Sequence, residues 1–457
     1  MVYEWEHDIE KINGWLQERR FGLVRSWFQQ HNVVDIAALF ERLPLRQRPT
    51  AYRLLPKTPA AEAFTYMTPD TQQALIEAFT DRELAAVLSE LYVDDTADLL
   101  EEMPATVVKR LLRVVSPSER QTLNRILQYP ENSAGSVLTT EVVDLKGDMT
   151  VAAALRYIRA YGPDKETIYT CYVTDADRRL IGSLSVKDLL LARETDTIRD
   201  LMTVNPLSVV TAEQQETVAA LFARYDLIAL PVTDSEGRLV GIITVDDVMD
   251  IVEQETTEDI EKMAAITPTE RPYLRTGVLE LFRKRIPWLL LLMVSATVTG
   301  VIIDHFEAAL AASAVLTAFI PMLMGTGGNS GSQASAMVIR GLALADIAFR
   351  DIFRVLWKEL RVSLLCGVVL AATSFLKILT VDRFVFGGMV MVNEAIVVSV
   401  TLLITVMIAK LTGCALPLFA KRLGFDPAVM ASPFITTIID AVSLLVYFGV
   451  ANRILFT

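Results

Sequence analysis

The chain has 457 residues, a formal net charge of −12, 52% hydrophobic and 21% charged residues, and a mean hydropathy of +0.38, too apolar for disorder and more apolar than an ordinary soluble protein. Residues 1–285 carry 32 Lys+Arg against 46 Asp+Glu, whereas residues 286–457 carry 11 against 9, so the charge is split between an acidic part and a nearly neutral one. This excludes one uniform globular body, and the acidic balance argues against a nucleic-acid binder, because acidic surface repels phosphates.

The N-terminal stretch MVYEWEHDIEKINGW shows no basic region followed by an apolar run, so the chain is expected to begin in the cytoplasm. Residues 35–130 read as short amphipathic helices (LFERLP, AAEAFTYM, DRELAAVLSEL, TADLLEEMP, SPSERQTLNRIL) with Leu and Ala recurring at three and four. Thr68-Pro69 and Ser116-Pro117 are helix starts. This predicts an all-α, superhelical cytoplasmic N domain over residues 1–133. Asp94, Asp95 and Asp98 form an acidic patch within it.

Residues 137–257 contain a duplication. The copies end in LIGSLSVKDLL and LVGIITVDDVM, and Gly182/Gly241 and Asp188/Asp247 are each 59 apart. Each copy reads strand, helix, strand, turn, strand, helix. This resembles the CBS domain, a regulatory α/β module that works in pairs, and places the pair at about 137–200 and 201–250 within a segment 134–250.

Residues 246–261 (DDVMDIVEQETTEDIE) hold eight acids and no base. Such a run is either a solvated helix face or a hard-cation site, since oxygen ligands suit Mg2+, Ca2+ or Mn2+. A long connecting helix is expected over 251–283.

The remainder, 284–457, reads as an all-α membrane domain. Residues 286–303 are uncharged over 18 residues, roughly 27 Å of helix, about one bilayer core. Residues 308–339 are uncharged too, and further spans are expected at 362–376, about 390–413 and about 428–451, five in all. Lys410 in the fourth can snorkel if it lies near a helix end. Arg283, Lys284 and Arg285, then Arg340, Arg350, Arg354, Lys358 and Arg361, then Lys421 and Arg422 fall in alternate loops. The positive-inside rule therefore puts the N-terminus in the cytoplasm and the C-terminus outside.

Asp440 lies near the centre of the fifth expected span, where a carboxylate marks an ion path or a proton relay. The second span contains GTGGNSGSQ, which lacks the GxxxxGK[ST] of a phosphate loop. Its small residues fit close helix packing. Its added polar residues favour a broken helix whose carbonyls and Asn329 line a water-filled path. Three cysteines, an odd number, give no disulfide framework, and the three histidines show no zinc spacing.

The order of parts, with PMLMGTGGNSGSQAS, RPYLRTGVLELFRKRIPWLL and SPFITTIIDAVSLLVYF, resembles the MgtE family of magnesium channels over essentially the whole chain. The resemblance implies a homodimer in the cell membrane with a pore between membrane domains. Asp440 would face that pore, completed by Thr436, Gly325, Gly328 and Asn329; many members have Asn where this chain has Ser332. It implies closure by cytoplasmic Mg2+ held by Asp95 and Asp98 of the array, Glu216, Asp226 and Asp247 of the CBS pair, and Asp250, Glu255, Glu258 and Asp259 of the connecting helix. Asp426 would pair through Mg2+ with the CBS acids. Some members bind ATP through a Tyr, an Arg and a Phe. Thr170, Lys187 and Leu227 stand at those positions here, with Asp188 retained, so a nucleotide at Asp188 and Lys187 would lack aromatic contacts. Two other functions fit the residues: a proton- or sodium-coupled divalent-cation transporter with Asp440 as relay, and a membrane-anchored nucleotide sensor. No nucleophile–base pair suggests an enzyme.

Overall fold

The structure, a computed structural model, describes residues 5–269, 273–274, 276–306, 314–344, 346–385, 391–430 and 432–455. It divides into two compact units, Met1–Val252 and Glu253–Thr457.

The first unit opens with short helices from Trp5–Gln17 to Pro117–Ile126. Their starts follow the sequence. Pro69 and Pro117 occupy first-turn positions, where the missing N–H costs nothing. Thr80 with Glu83 and Ser116 with Glu119 close capping boxes. Helix C-termini are satisfied by arginines: Arg110 donates to the carbonyls of Ile76 and Phe79 at 2.6 and 2.5 Å. The apolar faces merge into one core that runs from Ile12 through Leu75 and Leu111 into Val218, Leu230 and Ile243 of the second CBS copy.

The CBS pair holds two small sheets. The first contains β1 (Asp144–Lys146), β2 (Thr170–Thr174), β3 (Leu180–Ser185) and β4 (Thr203–Val204) in that order; the second contains β5 (Val209–Val210), β6 (Ala229–Thr233) and β7 (Leu239–Thr244). β1–β2 and β5–β6 are parallel and β2–β3 and β6–β7 antiparallel, so the 59-residue repeat carries the topology. The copies exchange entry segments. β4, which leads into the second copy, pairs with β3 of the first, and Thr139, which leads into the first, pairs with Ile242 of β7. The repeated glycines sit at these crossings. A Cβ on Gly182 would lie 2.5 Å from Met202 Sδ, and one on Gly241 would collide with the Thr139 carbonyl.

The expected connecting helix over 251–283 is not one helix. It begins at Val245 as the last helix of the second CBS copy and ends at Met263, and a separate helix begins at Val278. Ala265 turns at a positive φ of 54°, and Pro268 supplies no backbone donor to continue the ladder.

In the second unit four helical stretches are long and apolar enough to cross a membrane: Val278–His305, Phe349–Val385, Val392–Leu423 and Pro427–Leu455. Four, not five, meet both criteria among the described residues. The second expected span corresponds to the helix Ile320–Ala343, whose polar glycine-rich run dilutes its hydropathy. Part of that expected span, 308–313, part of the fourth, 390, residue 431 of the fifth, and 270–272 and 275 of the expected connecting helix lie outside the described residues.

The glycine-rich run is not a broken helix. Ile320–Ala343 is continuous through Gly325–Gly331. Each interior glycine costs about 1 kcal/mol of helix propensity relative to alanine, and close packing offsets it. A Cβ on Gly327 would meet Thr405, Ser443 and Ile439, one on Gly328 would lie 2.8 Å from Thr436 Cγ2, and one on Gly331 2.8 Å from Ile435 Cγ2. Gly413 stands against the Gly331 backbone itself. Helices Val392–Leu423 and Ser432–Leu455 thus close on this helix through small residues, the usual way apolar helices approach in lipid. Lys410 does not snorkel: it is buried and pairs with Glu359 of helix Ile352–Lys377 at 3.1 Å. An ammonium at this depth needs that carboxylate.

Candidate ion path and acidic cluster

In the membrane unit the seam between the glycine helix and helix Ser432–Leu455 positions the candidate path. Thr436 fills the space beside Gly328. Asp440 lies one turn further along, and its Oδ1 is buried with no hydrogen-bond partner among the described residues. Gly325 and Asn329, one turn apart, lie on an exposed face of the glycine helix, whereas Gly328 faces inward. The structure therefore brings Gly328 and Thr436 together and leaves Gly325 and Asn329 on open surface. Behind them, the hydroxyls of Thr401 and Thr405 are buried without a partner among the described residues.

In the first unit, a second constellation forms where helix Val93–Glu102 of the array meets the start of helix Val245–Met263. Asp94 is 7% exposed, and its Oδ1 has no partner among the described residues. Burial, then the charges of Asp247, Asp95 and Glu166, push its carboxyl well above the usual range. Burial and then Asp247 push Asp95 up to about 6. Asp98, at the more open rim, is pushed up to about 7 by the protein around it and by Glu101, Asp247 and Asp95. Glu166 enters from the loop before β2 with Oε2 buried and unpartnered among the described residues, and burial with Asp246 and Asp247 pushes it up to about 8.

Asp247 shows what the neighbours do. Asp188 and Asp247 hold the same position in the two copies, and each carboxylate caps its own helix, accepting from Ser185 and Thr244 respectively. The Ser185 hydrogen bonds hold Asp188 below the usual range. Asp247 keeps its threonine bonds yet is pushed up to about 6, because burial and the facing acids outweigh them.

The other expected ligands are dispersed. Glu216 is in the first turn of helix Gln215–Tyr225 and Asp226 is its C-cap at a positive φ, about 15 Å apart along the axis. Both are exposed, and they cannot share one ion within a chain. Asp250 is exposed, and Glu255 and Asp259 are half-buried on the next turns of the same helix. Glu258 and Asp426 do converge, on Lys262: its Nζ lies 2.5 Å from Glu258 Oε1 and 2.6 Å from Asp426 Oδ2. Within this unit Asp426 therefore meets a lysine of the connecting helix. Lys187 is exposed, and Asp188 spends its carboxylate on the cap. Among the described residues no three His, Cys, Asp or Glu side chains are arranged to hold a metal ion.

Three residues escaped the sequence reading as site candidates. Asp94 was legible only as one acid of a patch, because its inward direction depends on helix phase. Glu166 comes from a loop with no motif. Glu359 finds Lys410 across 51 residues.

Comparison with known proteins agrees with this arrangement of parts. Residues 320–450 match the family described as a divalent cation transporter, residues 31–132 the MgtE intracellular N domain, and residues 134–194 and 198–254 the CBS domain. A magnesium transporter MgtE of Thermus thermophilus is 38% identical over 96% of this chain and 97% of that protein. The chain belongs to the MgtE family of magnesium transporters. The crystal structure of the soluble part of a magnesium transporter is 28% identical, covers 55% of this chain and 99% of that one, and superposes with a TM-score of 0.52. A cytosolic domain of the Mg2+ channel MgtE in complex with ATP is 38% identical over 52% of this chain and 96% of that one, with a TM-score of 0.49. MgtE membership and the four apolar helices make this a multi-pass membrane protein of a transporter family, not of an enzyme family.

Proposed function

We propose that this MgtE protein is a Mg2+ channel of the cell membrane. It works as a homodimer with the acidic unit in the cytoplasm and the C-terminus outside, Ile320–Ala343 serving as the second of five spans, and it is shut by cytoplasmic Mg2+. The observation that carries the reading is the unpartnered Asp440 oxygen beside the Gly328–Thr436 seam in an otherwise uncharged helix interior. A carboxylate at that depth is costly without a cation or a partner. One Asp440 from each subunit, with the Thr436 backbone and the open Gly325–Asn329 face, gives a sparse oxygen set. That set suits an ion that sheds water reluctantly and travels with part of its shell.

The acidic cluster supports the gating half. Asp94, Asp95, Asp98, Glu166 and Asp247 repel one another when ionised, and Asp94 Oδ1 and Glu166 Oε2, buried without a hydrogen-bond partner among the described residues, are hard oxygen ligands of the kind Mg2+ takes. Mg2+ held by one or two carboxylates and water would draw the array and the CBS pair together, and its loss would let repulsion part them. Asp250, Glu255 and Asp259 carry the same logic along the connecting helix, and Glu216 and Asp226 would act from separate places. A CBS-bound nucleotide stands outside this reading, since Thr170 and Leu227 offer no aromatic face and Asp188 is occupied by its cap.

The unpartnered Asp440 oxygen also suits a proton relay, which makes coupled divalent-cation transport the second reading; uptake that demands a proton or sodium gradient would favour it. For the channel, Asp440→Ala is expected to abolish Mg2+ uptake in a magnesium-transport-deficient cell while the dimer still assembles. Undiminished uptake would remove Asp440 from the path.

A further inference from the structure

The C-terminal end of helix Val245–Met263 is fastened to the membrane unit by a set of contacts that needs no metal. Lys262 Nζ bridges Glu258 Oε1, one turn back, at 2.5 Å and Asp426 Oδ2 at 2.6 Å. The other Asp426 oxygen, Oδ1, accepts the Ala428 N–H at 2.8 Å, which fixes the carboxylate against the turn Pro427–Met430. The neighbouring side chain, Met263, packs on Ile339 of the glycine helix and on Ala428. Beyond the helix, Glu261 Oε2 accepts the Thr269 N–H at 2.6 Å, and the Thr267 N–H reaches the Lys284 carbonyl at 3.1 Å.

We infer that Lys262 is a built-in cation that clamps the end of the connecting helix to the Asp426 turn. It fills the place between Glu258 and Asp426 that a divalent ion would otherwise take. An isolated ion pair on a surface contributes little. This one differs in three respects: the ammonium is shared by two carboxylates, one of them is already positioned by a backbone N–H, and an apolar contact at Met263 adjoins it. The consequence rests on the gating reading above: Mg2+ control falls to the acids N-terminal to this clamp, while the hinge end of the helix stays docked at any Mg2+ concentration. The clamp itself does not depend on that reading, and its test involves no transport.

The test is hydrogen exchange across residues 253–269 in the intact, detergent-solubilised protein, with Mg2+ removed by EDTA and then restored. In the unsubstituted protein the amides around 258–263 should be protected without Mg2+ and gain little from it. Lys262→Met should speed their exchange about tenfold without Mg2+, since a loss of about 1.4 kcal/mol is a factor of ten. Added Mg2+ should restore protection, because Glu258 and Asp426 are then free to share an ion. Lys262→Arg should keep protection. Asp426→Asn should loosen the same amides without rescue by Mg2+, which covers the case of a poorly folding Lys262→Met protein. Equilibrium Mg2+ binding should show one more ion per chain in Lys262→Met. Protection that needs Mg2+ in the unsubstituted protein, unchanged exchange in Lys262→Met, or equal ion stoichiometry would overturn the clamp. None of these outcomes bears on whether Asp440 conducts.

Discussion

The stability of the acidic N-terminal part should fall as pH rises, and Mg2+ should reverse the fall. The acids in question are Asp95 and Asp247, each pushed up to about 6, Asp98 to about 7 and Glu166 to about 8. A carboxyl whose folded pKa lies above its unfolded value binds more protons folded than unfolded between the two. Its contribution is therefore fully present below pH 4 and is lost as pH rises through about 6 to 8. For Asp247 the rise from 3.8 to about 6 would correspond to about 3 kcal/mol if fully realised. The side chain keeps some contact with water, and screening reduces this to about 1–2 kcal/mol. At ~2–4 °C per kcal/mol for a part of this size, Tm should drop by roughly 2–8 °C between pH 5 and pH 8. The assay is thermal unfolding of a fragment over residues 1–263, close in extent to the soluble relative, in EDTA and in Mg2+ at both pH values. Mg2+ should raise Tm more at pH 8, where the acids are ionised, and Asp94→Asn should shrink both effects. A Tm that is flat with pH in EDTA, or an equal Mg2+ gain at pH 5 and pH 8, would refute the reasoning.

Three further outcomes follow from the packing. Lys410→Met alone should destabilise the membrane part by about 3–5 kcal/mol, because it strands the Glu359 carboxylate; pairing it with Glu359→Gln should recover much of the loss, read as heat resistance of the solubilised protein by size exclusion. Gly331→Val should push the glycine helix away from Ile435 and the Ala409 carbonyl, cost about 1–3 kcal/mol or more and lower the yield of folded protein, whereas Gly449→Ala, with open space around it, should be near neutral. Gly241→Val should expel the Thr139 segment from β7 and lower the Tm of the 1–263 fragment by more than the same change at Gly237 side-chain space alone predicts, since Gly237 meets no neighbour and only its positive φ is at stake.

How far the sequence carried depended on the range of the interaction. The CBS topology was legible because one offset, 59, repeats in glycines, cap acids and turns. Helix starts at Thr68-Pro69 and Ser116-Pro117 were legible because capping is local. The glycine-rich run was misjudged for a physical reason: its intrinsic cost to a helix is visible in the sequence, but the Thr405, Gly413 and Thr436 surfaces that offset it lie on two other helices. Lys410 was likewise read alone, without Glu359. Asp188 and Asp247 look equivalent in sequence and cap equivalent helices, yet only Asp247 meets a facing acidic array, a difference that exists only after the N domain docks. For Asp426 the acid was visible, but the lysine that reaches it from another segment was not.

The central claim, a Mg2+ path closed by Mg2+ on the acidic side, is tested most directly by recording current through the purified protein in a lipid patch while Mg2+ is raised on the face bearing residues 1–285. The account predicts a Mg2+-carried current that closes as that concentration rises and that Asp440→Ala abolishes. A current indifferent to Mg2+ on that face, or Mg2+ movement that requires a proton or sodium gradient and carries no channel current, would contradict it.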